Sequence, residues 1–295
     1  MSLAKEITHQ LRGHWYGTYG AAFCPAHNDM LSPSLSLSMG ADGRLLVNCF
    51  AGCGFAGIMA ALHRQGLLGG NFHAPSSDVQ RSLKVQIKPD KTREKLRGRA
   101  RQVWQESRPI IGTIAEKYLR GRAISCALPE SLRFHPNCMH GPSQLSFPAM
   151  VARIDGTDEL AITRTWLRSD GSAKADIRPP RAMLGACKGG AVRLLETGDH
   201  LVVAEGIETA LSLAGGLKTG PMRLWAALST SGLINLNLPD IPSLLTIATD
   251  GDQAGQSAGD ALAKRARALG WEVKLLPAPQ GRDWNDILKL KDKAK

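Results

Sequence analysis

Short, wholly apolar runs that end on acids constrain the last hundred residues more than any other feature. Leu201-Val202-Val203-Ala204 runs into Glu205-Gly206, and Leu244–Ala248 runs through Thr249 into Asp250-Gly251-Asp252. Leu224–Leu228 is a further apolar run, Glu272–Leu276 another, and Asp283 follows the latter within Gly281-Arg282-Asp283-Trp284-Asn285-Asp286. Amphipathic stretches at Glu208–Ala214 and Ala254–Leu269 separate them. A strand with no polar face must be covered on both sides, so strands alternating with helices predict an α/β fold with a parallel sheet and helices on both faces. In such sheets reactive groups collect beyond the carboxyl ends of the strands. If the first and third runs are neighbours, Glu205, Asp250 and Asp252 converge there. Carboxylates crowded in this way suit Mg²⁺ or Mn²⁺ shared with substrate phosphates. Taken singly, each acid also has a structural explanation: Asp-Gly-Asp is a common turn, and Glu205 or Asp283 could sit in the first turn of a helix.

The amino-terminal part differs in character. Cys24-Pro25-Ala26-His27 and Cys49-Phe50-Ala51-Gly52-Cys53 offer four ligands as two pairs on tight turns. The β-like stretches Leu35–Ser38 and Leu45–Val47 between them predict a hairpin that brings the pairs together. Cys24, His27, Cys49 and Cys53 are therefore expected to hold a structural Zn²⁺ with no open position. Residues 1–70 read as a β zinc ribbon closed by a helix at Ile58–Gln65, and residues 71–80 as a linker. Three of the six cysteines fall in this one segment, which suits metal binding in a reducing compartment better than a disulfide framework. His14, Trp15, Tyr16 and Tyr19 either fill this small core or stack on unpaired bases. His135, Cys138 and His140 lack a fourth ligand at a sensible spacing, and Cys126 and Cys187 read as core residues.

Residues 81–195 form a basic α+β segment. Nine Lys/Arg lie between Arg81 and Arg101, opposed by Asp90 and Glu94. Leu96, Ala100, Val103 and Trp104 recur at helical spacing, which predicts an amphipathic helix over Arg93–Ser107. Thr113-Ile114-Ala115-Glu116 is a capping box that opens a second helix, and Gly121 closes it. Ala149–Ile154, Leu160–Leu167 and Val192–Leu195 read as strands. The formal charge of +11 favours a polyanionic partner, because neutralising phosphates releases counterions. No apolar run of 18 residues and no charged-then-apolar leader is visible, so no membrane partner and a cytoplasmic location are expected.

Taken together, Val202–Gly206, Ala248–Gly255 and Gly281–Asp286 resemble the Toprim domain. The segment Cys24…Pro33-Ser34-Leu35…Cys49…Cys53 resembles the zinc-binding domain of DnaG-type and phage or plasmid primases. Zinc module, basic segment and Toprim domain (residues 196–295) stand in primase order. The resemblance implies that Glu205, Asp250, Asp252 and Asp283 are the catalytic acids that bind Mg²⁺ or Mn²⁺. The stretches Phe147-Pro148-Ala149…Arg164 and Met183–Gly189 are similar to the basic half of the primase core. This makes Arg164, Lys174 and Lys188 candidates for nucleotide or template contact, with solvated surface charge as the alternative. The implied activity is primer synthesis on a single-stranded DNA template from nucleoside triphosphates, in a mobile element, with a separate replicative helicase as partner. Primases usually carry Asp four residues after the first Glu; here Thr209 holds that place and Glu208 precedes it. A Toprim nuclease and a catalytically silent DNA-binding accessory protein are the alternatives. A topoisomerase needs a tyrosine nucleophile, and Tyr16, Tyr19 and Tyr118 stand in no such context.

Overall fold

The computed structural model describes residues 2–27, 33–40, 43–49, 53–68, 91–217 and 220–293. The chain divides into two compact units, Met1–Lys88 and Pro89–Lys295. The expected linker at 71–80 and the basic residues 81–90 lie outside the described residues.

In the first unit, helix α1 (Leu3–Gln10) precedes strands β1 (His14–Trp15), β2 (Tyr19–Ala22), β3 (Leu35–Met39) and β4 (Leu45–Cys49), and helix α2 (Phe55–Arg64) follows. The strands form one antiparallel sheet in chain order. The predicted β3–β4 hairpin is present, and the closing helix starts a little earlier than expected. Helix α1 was not anticipated. Ala4, Ile7 and Leu11 share its inner face at helical spacing, and Ile7, Leu35, Leu37 and Leu62 are fully buried with it.

The second unit contains two sheets. The first runs β5 (Arg108–Pro109), β6 (Leu132–His140), β7 (Leu145–Ile154), β8 (Ala161–Trp166) and β9 (Arg181–Leu184), all antiparallel and in chain order. Helix α3 (Lys91–Glu106) buries Ala100 against the face formed by Ala149, Val151, Ile162 and Trp166. Helix α4 (Ile114–Arg120) starts at Thr113, whose side chain accepts from the Glu116 amide at 3.4 Å. The reciprocal half of the capping box is displaced by one residue: the Glu116 carboxylate accepts from the Gly112 amide at 2.7 Å.

The second sheet is built from β10 (Val192–Glu196), β11 (Leu201–Ala204), β12 (Arg223–Ala226), β13 (Leu244–Thr249) and β14 (Glu272–Pro277), in the order β10-β12-β11-β13-β14. β11 to β14 are parallel, and β10 adds an antiparallel edge. The sheet therefore begins at Val192, ahead of the boundary expected at 196. Val202 and Ala204 point to a face covered by α5 (Ile207–Ser212) and α8 (Trp284–Lys293). Leu201 and Val203 point to the opposite face, under α6 (Thr230–Asn235) and α7 (Gln253–Ala268). Helices thus cover both faces, and the continuous apolar run Leu201–Ala204 is fully buried as its composition demands. Each buried Leu or Val of this kind contributes about 1.5–3 kcal/mol. Phe134, Met150 and Ile154 from the first sheet, with Ile110 just after β5, belong to the same core as Val202, Leu211 and Leu288, so the two sheets share one interior.

Candidate metal centres

The first centre follows from the β3–β4 hairpin. Leu35 pairs in register with Cys49, which returns the second ligand pair to the first. The donor atoms of Cys24, His27, Cys49 and Cys53 all lie within 4.8 Å of one another. His27 Nδ1 is 3.2 Å from Cys53 Sγ and 3.9 Å from Cys49 Sγ. Ser34 Oγ lies 3.5 Å from His27 Nε2 and 3.7 Å from Cys49 Sγ, while Nδ1 is the ring nitrogen nearer the sulfurs of Cys53 and Cys49. Cys24 and Cys49 are buried, and burial, followed by the neighbouring Cys49, pushes the Cys24 thiol up to about 12. Three thiols and an imidazole at this spacing fit a tetrahedral, borderline-soft cation.

Elsewhere in the same unit, Tyr16 stacks on Tyr19 with ring centroids 5.1 Å apart, and His14 meets Tyr16 edge-on at 4.6 Å. Trp15 packs into the core of the unit instead.

The second centre lies at the carboxyl edge of the parallel sheet. β11 and β13 are neighbours with Ala204 opposite Ala248, so Glu205 and Asp250 leave the same edge side by side. β14 flanks β13 with Pro277 opposite Thr249, and the loop beyond it carries Asp283. Gly251 lies between Asp250 and Asp252 because a Cβ there would overlap the Pro279 carbonyl oxygen. Two backbone hydrogen bonds clip the loops together: the Gly251 amide donates to the Arg282 carbonyl at 2.8 Å, and the Gly281 amide donates to the Gly251 carbonyl at 2.9 Å.

The four acids are differently engaged. Asp252 caps α7, accepting from the Gly255 amide at 2.7 Å. Asp283 accepts from the Asp286 amide at 2.8 Å, while its own amide donates to the Asp286 carboxylate at 3.4 Å. Both therefore have the capping roles that their positions allow, and both also act on their neighbours through charge. Burial, then Asp250 and Asp252, raises Glu205 to about 7. Burial, then Asp283, raises Asp250 to about 6, against the Thr209 hydroxyl that donates to Asp250 Oδ1 at 3.3 Å. Half-buried carboxylates that hold their protons this tightly are matched to a hard, oxygen-seeking divalent cation. Among the described residues, the Cys24–Cys53 set is the one group of three or more donors drawn tightly together; the acids stand looser, with Asp252 and Asp283 turned onto their helices.

Of the basic candidates, Lys188 is exposed on the loop between β9 and β10. Arg164 differs from expectation. It is 8% exposed, lies over the Trp166 ring at 4.9 Å and reaches the Met183 carbonyl at 3.4 Å. It belongs to the α3 face of the first sheet, because alternation along β8 puts it on the same side as Trp166. Lys174 is also engaged: its ammonium pairs with Glu208 Oε1 at 3.0 Å, and the Tyr118 hydroxyl donates to the same oxygen at 2.7 Å. Burial opposes ionisation of Glu208, but Lys174, Arg181 and Tyr118 outweigh it and bring its pKa down to about 2. Arg181 is the residue that sequence reasoning missed. Its charge acts on Glu205, Glu208 and Asp250 alike, and it opens β9 directly after Pro179-Pro180. A basic residue at the first position of a strand was the available signal. His135 pairs with Glu106 at 3.2 Å and His140 lies edge-on to Trp166 at 4.7 Å, so neither joins a metal site.

Two family models match the chain, both within the second unit. A family described only as a domain of unknown function matches residues 94–194, and the Toprim domain family matches residues 200–294. No curated protein matches the chain. Solved structures similar to it include a DNA primase domain from Pseudomonas aeruginosa, with 16% identity over 66% of this chain and 75% of that one and a TM-score of 0.36. The zinc-binding and RNA polymerase domains of the Aquifex aeolicus primase align at 15% identity over 100% of this chain and 81% of that one, with a TM-score of 0.40. The RNA polymerase domain of the Mycobacterium tuberculosis primase DnaG aligns at 15% over 68% and 81%, also at 0.40. The stretch that carries Glu205, Asp250, Asp252 and Asp283 is a Toprim domain.

Proposed function

We propose that this chain is a DNA primase that builds short oligonucleotide primers on single-stranded DNA by metal-assisted nucleotidyl transfer. The observation that carries the reading is the meeting of Glu205 and Asp250 at one sheet edge, with Asp252 and Asp283 beside them, on a Toprim domain. Glu205 and Asp250 are the acids with carboxylate oxygens least committed to helix capping, and are the proposed principal ligands of Mg²⁺ or Mn²⁺. Asp252 and Asp283 add charge from the two adjoining loops. When bound there, a pair of such ions supplies the Lewis acidity that activates a 3′-hydroxyl and stabilises a pyrophosphate leaving group. Arg181 faces the acids from β9 and is placed to receive the charge of an incoming triphosphate; Lys188 offers a second, exposed cation. Cys24, His27, Cys49 and Cys53 would hold Zn²⁺ as a structural ion, and the stacked rings of Tyr16 and Tyr19 offer a platform for unpaired template bases. The proposed partners are single-stranded DNA, nucleoside triphosphates and a separate helicase. Among the described residues no helix is long and apolar enough to cross a membrane.

The test is incubation with single-stranded DNA, Mg²⁺ or Mn²⁺ and labelled ribo- or deoxyribonucleoside triphosphates, tried separately. Short extension products are expected. Asp250→Ala should lower their yield by more than about 100-fold, beyond the loss typical when an outer partner of a metal ligand is removed, while single-stranded DNA binding persists. Shortened template in place of extension would assign the same acids to a nuclease.

A further inference from the structure

Glu205 and Asp283 come from elements that are not neighbours in the sheet, since β13 separates β11 from β14. Something must fix the distance between them, and a buried polar chain runs between the helices that follow each acid. Asn285, fully buried in the first turn of α8, donates to the Arg122 carbonyl at 2.8 Å and to Ser212 Oγ at 2.9 Å. The Ser212 hydroxyl donates to the Glu208 carbonyl at 2.8 Å. The Glu208 carboxylate then takes the Tyr118 hydroxyl and the Lys174 ammonium. Thr209, the next residue of α5, holds Asp250.

Stability alone does not call for such a chain. Well-packed apolar residues of similar volume usually hold an interior as firmly as a buried ion pair, or more so. Hydrogen bonds differ from apolar contacts in being directional. Apolar packing resists displacement without prescribing an orientation, whereas the hydrogen bonds through Asn285 and Glu208 weaken steeply when their angles change. The Asn285 tie reaches the turn after α4, and the Glu208 tie reaches α4 itself and the loop after β8, all of them in the segment that precedes the Toprim fold.

We propose that Glu208 and Asn285 are positioning residues, and that the chain Tyr118/Lys174–Glu208–Ser212–Asn285 sets the spacing of Glu205 and Asp283 and thereby the affinity of the acid edge for divalent cation. Glu208 is thus not a ligand displaced by one position from the usual Asp; it holds the turn that presents the ligands. This inference rests on the proposed metal role of the acids.

The experiment is a Mn²⁺ titration of the full zinc-loaded chain by calorimetry, for the wild type, Tyr118→Phe, Asn285→Ala, Lys174→Met, Lys174→Arg and Asp250→Ala. Asp250→Ala identifies the Mn²⁺ bound at the acid edge. Tyr118→Phe, Asn285→Ala and Lys174→Met should each raise the Mn²⁺ dissociation constant by about 10-fold, the low end of the range for direct partners of metal ligands, since these residues act one step further out. Lys174→Arg should restore most of it. Tyr118→Phe removes a single oxygen and decides the matter even if Asn285→Ala does not fold. Folded Tyr118→Phe that binds Mn²⁺ within about twofold of wild type, at a site that Asp250→Ala abolishes, would overturn the positioning role and leave the functional reading standing. Wild-type protein with no Asp250-dependent Mn²⁺ binding would overturn both.

Discussion

A buried carboxylate is costly unless an opposite charge answers it, and Glu205 and Glu208, three positions apart, meet that cost in opposite ways. Glu208 has Lys174 and the Tyr118 hydroxyl within 3.0 Å and is held as an anion near a pKa of 2. Burial, then the Glu208 charge, pushes the Tyr118 phenol up, so it remains a donor. Glu205 faces Asp250 and Asp252 instead, and its proton is retained to about 7. The sequence places Glu205 at a strand end and Glu208 in the following helix, but it does not show their opposite ionisation, because Lys174 and Tyr118 lie far away in the chain. The burial of Arg164 was hidden for a related reason: its ring partner Trp166 and the covering helix α3 are set by the sheet, and its guanidinium lies over Trp166 at 4.9 Å rather than in solvent. The cysteine pairs were legible because their partners are set by spacing and a hairpin. Cys24→Ser should reduce bound zinc from about one equivalent to near zero, as measured by release to a colorimetric chelator after denaturation. It should also lower the melting temperature of the first unit, since metal-binding free energy in small domains is largely folding free energy.

The apolar runs that became β11 and β13 were plain in the sequence, as was the long helix α7. Their order in the sheet was not, because periodicity reports which face is buried and says nothing about which strand lies next to which. The short helix α6 was hidden by its length, and although Val192–Leu195 read as a strand, nothing in the sequence showed that it joins the parallel sheet beside β12. Adjacent placement of β11 and β13 puts two proton-retaining acids at one edge, and the pH dependence follows. Glu205 and Asp250 have folded values of about 7 and about 6, above the ordinary 4.5 and 3.8. Between about pH 4 and about pH 7 the unfolded chain therefore binds fewer protons at these groups than the folded one, so their contribution to stability declines as pH rises. Glu208, with its lowered value, acts in the opposite sense and only on acidification below about pH 4.5. After dialysis against metal-free buffer, the melting temperature of the second unit should fall between pH 5 and pH 7.5, measured by scanning fluorimetry. Mn²⁺ at about 100 times its dissociation constant should add about 2.7 kcal/mol at the upper pH. A melting temperature that rises with pH and ignores Mn²⁺ would contradict the acid edge described here.

The net charge of +11 bears on binding by the whole chain rather than on its fold. If single-stranded DNA is the partner, the logarithm of its association constant should fall linearly with the logarithm of salt concentration, with a slope of about −0.7 per phosphate neutralised. A footprint of about five phosphates gives a slope of about −3.5, readable by fluorescence anisotropy between 50 and 300 mM salt; a flat response would remove the electrostatic case for a nucleic-acid partner. The α/β class and the zinc ribbon were legible as patterns of period and spacing. The shared interior of the two sheets was not, since the core that holds both Met150 and Leu211 joins distant stretches that each look self-sufficient. Strand β10 draws out what that sharing means. It straddles the end of the first family match, at 192–196 where that match ends at 194 and the next begins at 200, yet it hydrogen-bonds along β12. Cutting the gene there would strip the outer rung from the ladder it borders and leave a bare, sticky margin. What reads as two separable modules is therefore a single object to handle, and neither half can be swapped without taking part of the other.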